Sequence, residues 1–492
     1  MFAAKKRVKY INILKKINPM KHSILLLNVP RFMGSKDITY ENITPPEYPP
    51  LNLGYLASFL NEHDYNVDII DLDMEKNTNG KLISLLKEKK YILVGLTFTT
   101  PLFGNAKKVA DIIKEIDSKM PIVVGGVHAT ISPEECISFE NFDYVVEGEG
   151  EMALLKLAKY LSRKKPLLSE IGGFNYKKGN RIFRNDEREK PINLDLLPFP
   201  RRDLFLENKY LFPDILVEPV MPIMTSRGCP GQCIYCCSKK ICPLIRLRSA
   251  KNVVDEIEML VKKYGAREIH IWDDCFTISK KRAIEICNLI KDRKLRIKIA
   301  FPNGVRADMV SYELLKSLKE AGAYSIGFGV ESGNEEILKK IKKGITKKQY
   351  IETFKMARKA GLETWAFLML GLYGEDENTI IDTINFTKEL DPDIAKFNIL
   401  VPFPGTEVYE QLNSRGLILE KDFSKYGYHS KPVHRLEKLS SDDLIRLHKK
   451  AYREFYLRGR IILKQIMRIK TLTRLKINIR TGVDILKFIF ER

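Results

Sequence analysis

Short apolar segments alternate with amphipathic ones along most of this sequence, and this pattern restricts the chain to few folds. Amphipathic helical patterns, clearest at residues 53–62 and 105–118, separate apolar segments of strand length. The first five apolar segments are residues 23–30, 67–71, 92–98, 122–126 and 144–146. Parallel strands need helix-length crossovers, so this series predicts a parallel sheet covered by helices. We therefore predict an α/β protein whose residues 21–163 form a doubly wound, Rossmann-like parallel sheet.

The alternation stops at residues 164–215, where prolines such as Pro166 and Pro191 predict a surface linker. It then resumes in six strand–helix units. Their strands are predicted at residues 222–227, 268–273, 296–302, 325–331, 363–370 and 395–401. Six such units predict a partial (β/α)6 barrel over residues 216–435, with its chemistry at the carboxyl ends of the strands. Outside these domains we predict only a basic leader and a basic helical carboxyl-terminal region, at residues 1–20 and 436–492.

Charge is unevenly distributed along a chain of otherwise ordinary globular composition. The formal net charge is +21, and Arg446 to Arg492 carries fourteen Lys and Arg residues against three acidic ones. No apolar run reaches the length of a membrane-spanning helix, and the basic start lacks the apolar core of a secretory signal, so we expect a cytoplasmic protein. The basic tail fits a helical cap with a solvated face or a peripheral contact with an anionic membrane. Nucleic-acid binding is the least favoured of its interpretations.

A C-x3-C-x2-C spacing follows the first predicted strand of the barrel and contains Cys229, Cys233 and Cys236. Three thiolates on one loop can each ligate one iron of a four-iron four-sulfur cluster and leave the fourth iron open. A structural zinc site prefers four protein ligands, and no second cysteine pair follows at finger spacing. We therefore predict an iron–sulfur cluster here. The alternatives are a zinc knuckle or a structural cysteine cluster, and Cys237 and Cys242 are either buried or incidental thiols.

This loop, with the aromatic Tyr235 before the third cysteine, resembles the signature of the radical S-adenosylmethionine (SAM) superfamily. The resemblance extends to the segments after the next three strands, Trp272–Phe276, Asn303–Arg306 and Gly327–Gly333. It implies that the open iron binds the amino and carboxylate groups of SAM and that the enzyme forms a 5'-deoxyadenosyl radical. The residues implied for SAM binding are Tyr235, Asp273, Asp274, Arg306, Glu331 and Ser332.

One of these segments departs from the family pattern. The family often has Gly-Gly-Glu after the second strand, where this chain has Trp-Asp-Asp, so Asp273 and Asp274 are the candidates for the amino group. Glu331 is the candidate for the ribose hydroxyls. For each of these residues, and for Arg306, the alternative is an ion pair or a cap at the end of a strand.

The amino-terminal domain resembles the cobalamin-binding domains that precede some radical SAM barrels. The matching segments are Tyr48–Leu56, Val67–Leu72, Gly95–Thr99 and Val124–Thr130. The resemblance implies that the strand ends bind cobalamin through Thr97, Thr99, Gly125, Gly126, Glu147 and Gly148. Related domains carry Asp-x-His-x-x-Gly after the first strand, but residues 30–37 contain no histidine. We therefore expect cobalamin without a histidine axial ligand from this loop, and His128 is a minor candidate.

Together the resemblances imply a cobalamin-dependent radical SAM enzyme that methylates or cyclises an unactivated carbon. The tail resembles that of the anaerobic magnesium-protoporphyrin monomethyl ester cyclase and of lipid-modifying radical enzymes, which favours a hydrophobic lipid or tetrapyrrole substrate. The expected electron donor is ferredoxin or flavodoxin. One alternative is tRNA methylthiotransfer, although that family has a second cysteine triad and only Cys136 precedes this barrel. The other alternative is a non-catalytic cobalamin-binding protein. No catalytic side chain is predicted.

Overall fold

The structure is a computed structural model that describes residues 22–31, 48–208, 210, 212, 215–427, 431–469 and 472–490. The described residues divide into two compact units. The first unit contains residues 22–31, 49–191 and 197–208, and the second contains residue 48, residues 192–196 and the chain from residue 210 onward. The predicted basic leader at residues 1–20 lies outside the described residues.

The first unit is built on one seven-stranded sheet. Its strands are β1 (Ser23–Asn28), β2 (Asn66–Asp71), β3 (Leu93–Thr97), β4 (Ile122–Gly125), β5 (Tyr144–Val146), β6 (Phe174–Lys178) and β7 (Arg181–Asn185). The order is β2-β1-β3-β4-β5-β6-β7, parallel as far as β5 and antiparallel from there. Its helices are α1 (Leu51–Asn61), α2 (Thr78–Glu88), α3 (Phe103–Ile116), α4 (Val127–Ile131), α5 (Pro133–Ser138) and α6 (Glu151–Arg163).

The predicted doubly wound sheet is confirmed. The central strands β1, β3 and β4 are apolar along most of their length because helices cover both faces of a parallel sheet. Their side chains pack with Ala106, Val109 and Ile113 of α3 in one buried cluster. The strand order reverses between β1 and β3, and the loops at the carboxyl ends of the strands there form the usual binding edge of such a sheet.

A β-hairpin lies within the stretch that was predicted as a linker. Strands β6 and β7 add to the sheet through β5 and are joined by a turn at Gly179. Strand β7 is exposed along nearly its whole length and carries Arg181 and Arg184, so it has no apolar run that could mark it in the sequence. The linker predicted at residues 164–215 was therefore wrong for residues 174–185, which belong to the first sheet.

The second unit contains the six predicted strand–helix units in chain order. Its strands are β8 (Val220–Ile223), β9 (Ser226–Arg227), β10 (Arg246–Leu247), β11 (Glu268–Ile271), β12 (Lys298–Ala300), β13 (Ser325–Glu331), β14 (Glu363–Leu370) and β15 (Ile394–Ile399). Strands β8, β11 and β12 form one parallel sheet, and β13, β14 and β15 form another. Parallel bridges from Ile299 to Ala323 and from Val305 to Phe328 connect the two sheets. This arrangement confirms the predicted partial barrel.

Helices separate the barrel strands and form the carboxyl-terminal region. They are α7 (Ser238–Ile241), α8 (Ala250–Tyr264), α9 (Lys280–Asp292), α10 (Tyr312–Glu320), α11 (Glu335–Lys340), α12 (Lys347–Lys359), α13 (Glu377–Leu390), α14 (Glu407–Ser414), α15 (Ser441–Tyr456), α16 (Gly459–Met467) and α17 (Leu472–Phe490). Among the described residues, no helix is both long and apolar enough to cross a membrane.

Helix α15 covers the edge of β15, the last strand of the barrel. The Tyr456 hydroxyl donates to the Ala395 carbonyl at 2.8 Å, the Tyr452 hydroxyl donates to the Phe397 carbonyl at 3.3 Å, and His448 Nε2 lies 2.7 Å from that same carbonyl. These three side chains are spaced four residues apart and therefore lie on one face of the helix. Polar side chains thus satisfy backbone groups that an open edge would leave unpaired.

Candidate active site

The cluster loop, residues 228–245, leaves and rejoins the barrel at a two-stranded ribbon. Strands β9 and β10 pair antiparallel on either side of it. Gly228, the first residue of the loop, has a φ of +90°, and a Cβ atom there would lie 2.9 Å from the Leu244 carbonyl oxygen. Only glycine fits both the left-handed backbone and this close approach. The loop that carries the three predicted ligands is therefore closed at its base.

Two of the three cysteine sulfur atoms lie beside Gly231, and two of them accept backbone hydrogen bonds. A Cβ atom on Gly231 would lie 3.4 Å from Cys229 Sγ and 3.7 Å from Cys233 Sγ. The Gly231 N–H donates to Cys229 Sγ, and the Ser238 N–H donates to Cys236 Sγ, each at 3.4 Å. Such bonds stabilise thiolates, which are the ligands that iron requires. The three cysteines therefore fit an iron–sulfur cluster.

The cysteine arrangement does not match a single-ion site. Within the described ranges, no group of three His, Cys, Asp or Glu side chains is arranged to hold one metal ion. Such a site would need its ligands to converge on one point, whereas the three cysteines of a cubane cluster each bind a different iron. Cys237 in the same loop is partly buried, and burial raises the pKa of its thiol.

A fourth cysteine, Cys275, contacts the cluster loop. Its thiol is fully buried, lies 3.6 Å from Met309 Sδ and donates a hydrogen bond to Cys229. This bond and the Gly231 N–H hold the pKa of Cys229 below its ordinary value, against the effect of burial. No role was predicted for Cys275, because it lies outside the C-x3-C-x2-C spacing.

The two candidate carboxylates after β11 lie in different surroundings. Asp273 is buried, and its carboxylate accepts the Thr225 N–H at 2.6 Å and the hydroxyls of Thr225 and Ser226 at 2.5 and 2.6 Å. Burial nevertheless raises the pKa of Asp273. Asp274 is exposed, and its carboxylate accepts the Ser238 hydroxyl at 2.5 Å, two residues beyond Cys236. Asp273 therefore fastens the entry to the cluster loop, and Asp274 is the one that faces solvent.

Glu331 forms the ion pair that we gave as its alternative role. Its Oε1 lies 2.8 Å from Nζ of Lys343, which is 3.4 Å from the Tyr235 hydroxyl, and all three side chains are largely buried. Gly329 makes room for the pair, because a Cβ atom there would lie 2.5 Å from Glu331 Oε1. Burial and then the negative charges of Glu331 and Cys233 raise the pKa of Tyr235. Lys343 was not predicted from the sequence.

Arg306 brings a positive charge to the cluster loop. A Cβ atom on Gly231 would lie 3.1 Å from Arg306 Nη1. The guanidinium also donates to Asp308 at 2.9 and 3.1 Å and to the Lys343 carbonyl at 3.3 Å, which fixes its position. The other predicted SAM residue, Ser332, is fully buried, and its hydroxyl bonds with Thr383 at 3.1 Å. Arg306 therefore lies beside the cysteines, while Ser332 supports the turn after β13.

In the first unit, four of the predicted cobalamin residues lie at or just beyond the carboxyl ends of the strands. Thr97 ends β3 and Gly125 ends β4, and the two residues are paired in register. Gly126 has a φ of +96°, and a Cβ atom there would lie 2.7 Å from Thr97 Oγ1. Thr99 is exposed in the loop after β3. The geometry thus brings Thr97, Gly125 and Gly126 together, and Thr99 is exposed two residues beyond the end of β3.

The remaining predicted cobalamin residues have internal partners. The Glu147 carboxylate is buried and accepts a hydrogen bond from Asn175 of β6 at 2.8 Å. The Gly148 N–H donates to the Thr130 hydroxyl at 2.9 Å. His128 is completely buried, with its ring 3.2 Å from the Thr100 hydroxyl. Glu147 and His128 are therefore parts of the protein interior.

Known proteins resemble both units. A family model described as Radical SAM superfamily matches residues 223–387, and one described as B12 binding domain matches residues 44–158. An uncharacterized methyltransferase of Pyrococcus horikoshii is 36% identical over 423 residues, which cover 85% of this chain and 90% of that protein. This chain belongs to the cobalamin-binding radical SAM enzymes. An anaerobic magnesium-protoporphyrin IX monomethyl ester cyclase of Rubrivivax gelatinosus is 26% identical over 418 residues, covering 83% of this radical SAM enzyme and 74% of that one.

Solved structures share the fold of this radical SAM enzyme. The cobalamin-dependent SAM radical enzyme OxsB matches 96% of the chain with a TM-score of 0.74 and 18% identity, over 72% of its own length. The methyltransferase TsrM from Kitasatospora setae matches 80% of the chain with a TM-score of 0.66 and 18% identity, over 78% of its own length.

Membership in this family confirms several predictions. The cofactors are a four-iron four-sulfur cluster, SAM and cobalamin, as the sequence implied. The protein is an enzyme of the C-methyltransferase or cyclase type, so the alternative of a non-catalytic cobalamin-binding protein is wrong.

Proposed function

We propose that this enzyme methylates an unactivated carbon of a hydrophobic substrate, with the cluster held by Cys229, Cys233 and Cys236. The observation that carries the proposal is the cluster loop, where Cys229 and Cys233 lie beside the positive charge of Arg306 in a chain that also has a cobalamin-binding unit. The name of the 36% identical relative, a methyltransferase, supports methyl transfer. Cyclisation is the second candidate, supported by the 26% identical cyclase.

The residues around the loop divide into binding and positioning roles. Asp274 binds the amino group of SAM, because its carboxylate is exposed and accepts the hydroxyl of Ser238, which lies two residues beyond the ligand Cys236. Arg306 binds the SAM carboxylate, since its guanidinium lies beside Gly231. Asp273 holds the loop entry through Thr225, and the Glu331–Lys343 pair supports the segment after β13.

The cofactors supply one-electron reduction of SAM and a transferable methyl group when they are bound. The protein positions them and keeps water from the radical. At the edge of the first sheet, Thr97, Thr99, Gly125 and Gly126 bind cobalamin, and Gly148 shapes the adjacent loop through Thr130. His128 is buried in the core, which supports cobalamin binding without a histidine ligand from this unit.

The substrate and the electron donor complete the proposal. A lipid or tetrapyrrole substrate is favoured, and ferredoxin or flavodoxin supplies the electron. Methylthiotransfer to tRNA is disfavoured because Cys136, the one cysteine before the barrel, is fully buried and has no neighbouring triad in the sequence.

Product analysis after anaerobic reconstitution tests the proposal. With SAM, cobalamin and a strong reductant, the enzyme is expected to form 5'-deoxyadenosine, accompanied by S-adenosylhomocysteine if it methylates. Cys233→Ala should abolish both products, and Cys237→Ala, a matched change in the same loop, should leave them. Deoxyadenosine without adenosylhomocysteine would favour cyclisation, and full activity of Cys233→Ala would refute the cluster assignment.

A further inference from the structure

The last two helices, α16 and α17, present large apolar side chains to solvent. Eight of the 18 exposed large hydrophobic side chains among the described residues lie on these two helices. On α16 they are Ile462, Leu463, Ile466 and Met467, and on α17 they are Ile479, Val483, Leu486 and Phe490. Their exposed fractions run from 45% to 67%. Scattered apolar residues are normal on a surface, but this concentration at one end of the chain is not.

Helix α16 buries one of its five large apolar side chains, Ile461, and otherwise contacts the protein through polar side chains. Gln465 donates to the Asp393 carbonyl at 2.6 Å, Lys464 donates to the Asp391 carbonyl at 2.8 Å, and Arg468, just beyond the helix, pairs with Glu363 at 3.0 Å. A helix on the surface of a water-soluble domain normally buries its apolar side instead. The four exposed apolar side chains of α16 therefore point away from the domain that holds the helix.

Helix α17 also exposes apolar side chains, while Phe488 packs on the rings of His448 and Tyr452 and Ile489 is buried. Arg474 is 2% exposed and pairs with Glu363 at 2.5 Å, so the helix is anchored by a buried cation. Its exposed apolar residues follow at positions i, i+4, i+7 and i+11 and form one stripe. The Asn478 side chain donates to the Gln465 carbonyl of α16 at 3.2 Å, so the two helices adjoin. We call the eight apolar side chains on them the apolar stripes.

The charge around the apolar stripes is strongly positive. Residues 459–490 contain eight Lys and Arg residues and one acidic residue, Asp484. Arg460, Lys476, Arg480 and Lys487 are exposed. Apolar side chains bordered by cations are the pattern of helices that lie in the interface of an anionic membrane.

We propose that α16 and α17 form a docking surface for an anionic lipid membrane, with the apolar stripes in the headgroup region and the cations on anionic headgroups. The role of this docking surface rests on the proposed function, because an enzyme with a hydrophobic substrate would find that substrate in a membrane. A second copy of the chain is a poorer occupant, because pairing would bring two positive surfaces together. Nucleic acid would leave the apolar stripes in water.

Flotation of the reconstituted full-length enzyme with lipid vesicles tests the surface. The enzyme is expected to float with vesicles of phosphatidylcholine and phosphatidylglycerol, to float at least tenfold less with phosphatidylcholine alone, and to be released by high salt. The double variant Leu463→Glu with Ile479→Glu should lose at least tenfold of the bound fraction. The matched control, Leu167→Glu with Leu196→Glu, changes two leucines elsewhere that are at least as exposed and should bind as the wild type does.

Two further measurements distinguish a failure of membrane docking from a failure of the proposed function. Deoxyadenosine formation without vesicles should be the same in both double variants, which shows that they fold and that the proposed function is independent of docking. Wild-type enzyme that stays unbound on anionic vesicles, or equal losses in the two double variants, would overturn the membrane surface. A dimer in sedimentation that only Leu463→Glu with Ile479→Glu dissociates would assign the apolar stripes to a second copy instead.

Discussion

Lys343 is a buried, positively charged side chain beside the cluster loop. Its ammonium faces Glu331 at 2.8 Å, with side chains 9% and 11% exposed. Burial is the largest influence on the pKa of Lys343 and lowers it, but the nearby Glu331, Tyr350 and Cys233 together outweigh burial and raise it. Lys343 is therefore protonated, and its pairing with Glu331 offsets the cost of taking both side chains out of water.

Replacing Lys343 by Met is expected to lower the free energy of unfolding of the second unit by about 3 to 5 kcal/mol, because it leaves Glu331 as an unpaired buried charge. The two tryptophans of the chain, Trp272 and Trp365, both lie in this unit, so their fluorescence during urea titration measures its unfolding. The double variant Lys343→Met with Glu331→Gln should recover most of the loss. Equal losses in the single and double variants would contradict this account.

A buried acid makes the same unit sensitive to pH. Burial raises the pKa of Glu375 to about 8 although the Leu372 N–H donates to it at 2.9 Å. The folded state keeps the proton up to about pH 8, whereas the unfolded state loses it near the ordinary value of 4.5. The folded state thus binds more protons in this window. The stability that Glu375 contributes is full below pH 4.5 and is lost as pH rises to 8.

We therefore expect the free energy of unfolding to fall by up to about 1.4 kcal/mol per pH unit through this residue, and Glu375→Gln to remove that slope. Burial lowers the pKa of nearby His434 to about 4, and this gives an opposite slope below pH 6.5. Urea titrations between pH 6.5 and 8 isolate Glu375. A slope that is unchanged in Glu375→Gln would rule the residue out.

The site residues that could be predicted from the sequence lie at the end of a predicted strand or belong to a motif of fixed spacing. Glu331 was found because it ends β13, and Cys229 because of its loop spacing. Lys343 lies twelve residues beyond Glu331, in a turn after α11, and an ion pair between loops has no periodic signal. The hydrogen bond between Asp273 and Thr225 also joins two loops, so it has no periodic signal and was not predicted.

Secondary-structure elements with an apolar pattern were predictable, including the edge strands β2 and β15, whereas very short or exposed strands were not. All six barrel strands came from apolar runs, because their outward side chains are buried under helices. The hairpin β6–β7 and the ribbon β9–β10 have no such run, since they are short or exposed. The ribbon nevertheless closes the cluster loop. Whether such a short or exposed segment pairs as a strand depends on the position of the neighbouring strand, which the local sequence pattern does not show.

The closed base of the cluster loop predicts a strong effect of Gly228→Ala. The new Cβ atom would meet the Leu244 carbonyl at 2.9 Å in a left-handed backbone, so β9 and β10 would separate and the cysteines would shift. Iron and sulfide content after reconstitution should fall several-fold. The control is Gly265→Ala, which has a φ of +68° but no atom within 4 Å of its Cβ position and should keep the full cluster. Equal iron content in the two variants would contradict the role of the ribbon.

The residues predicted to bind the cluster and those predicted to bind cobalamin lie in separate units. The cluster cysteines lie in the second unit, and the predicted cobalamin residues at the ends of β3 and β4 lie in the first. Each unit has its own sheets and its own buried hydrophobic residues. A ligand stabilises the unit that binds it, because unfolding of that unit must release the ligand.

Cobalamin is therefore expected to slow amide hydrogen exchange in the first unit. At a hundredfold excess over its Kd, cobalamin should slow exchange through global opening of β3 and β4 by about 100-fold. Mass spectrometry of peptides that span Leu93–Thr97 and Ile122–Gly125 measures this effect. Gly126→Ala should abolish it, because its Cβ atom would meet Thr97 Oγ1 at 2.7 Å and distort the binding edge. Slower exchange in the barrel strands without any change in β3 and β4 would place the cobalamin site elsewhere.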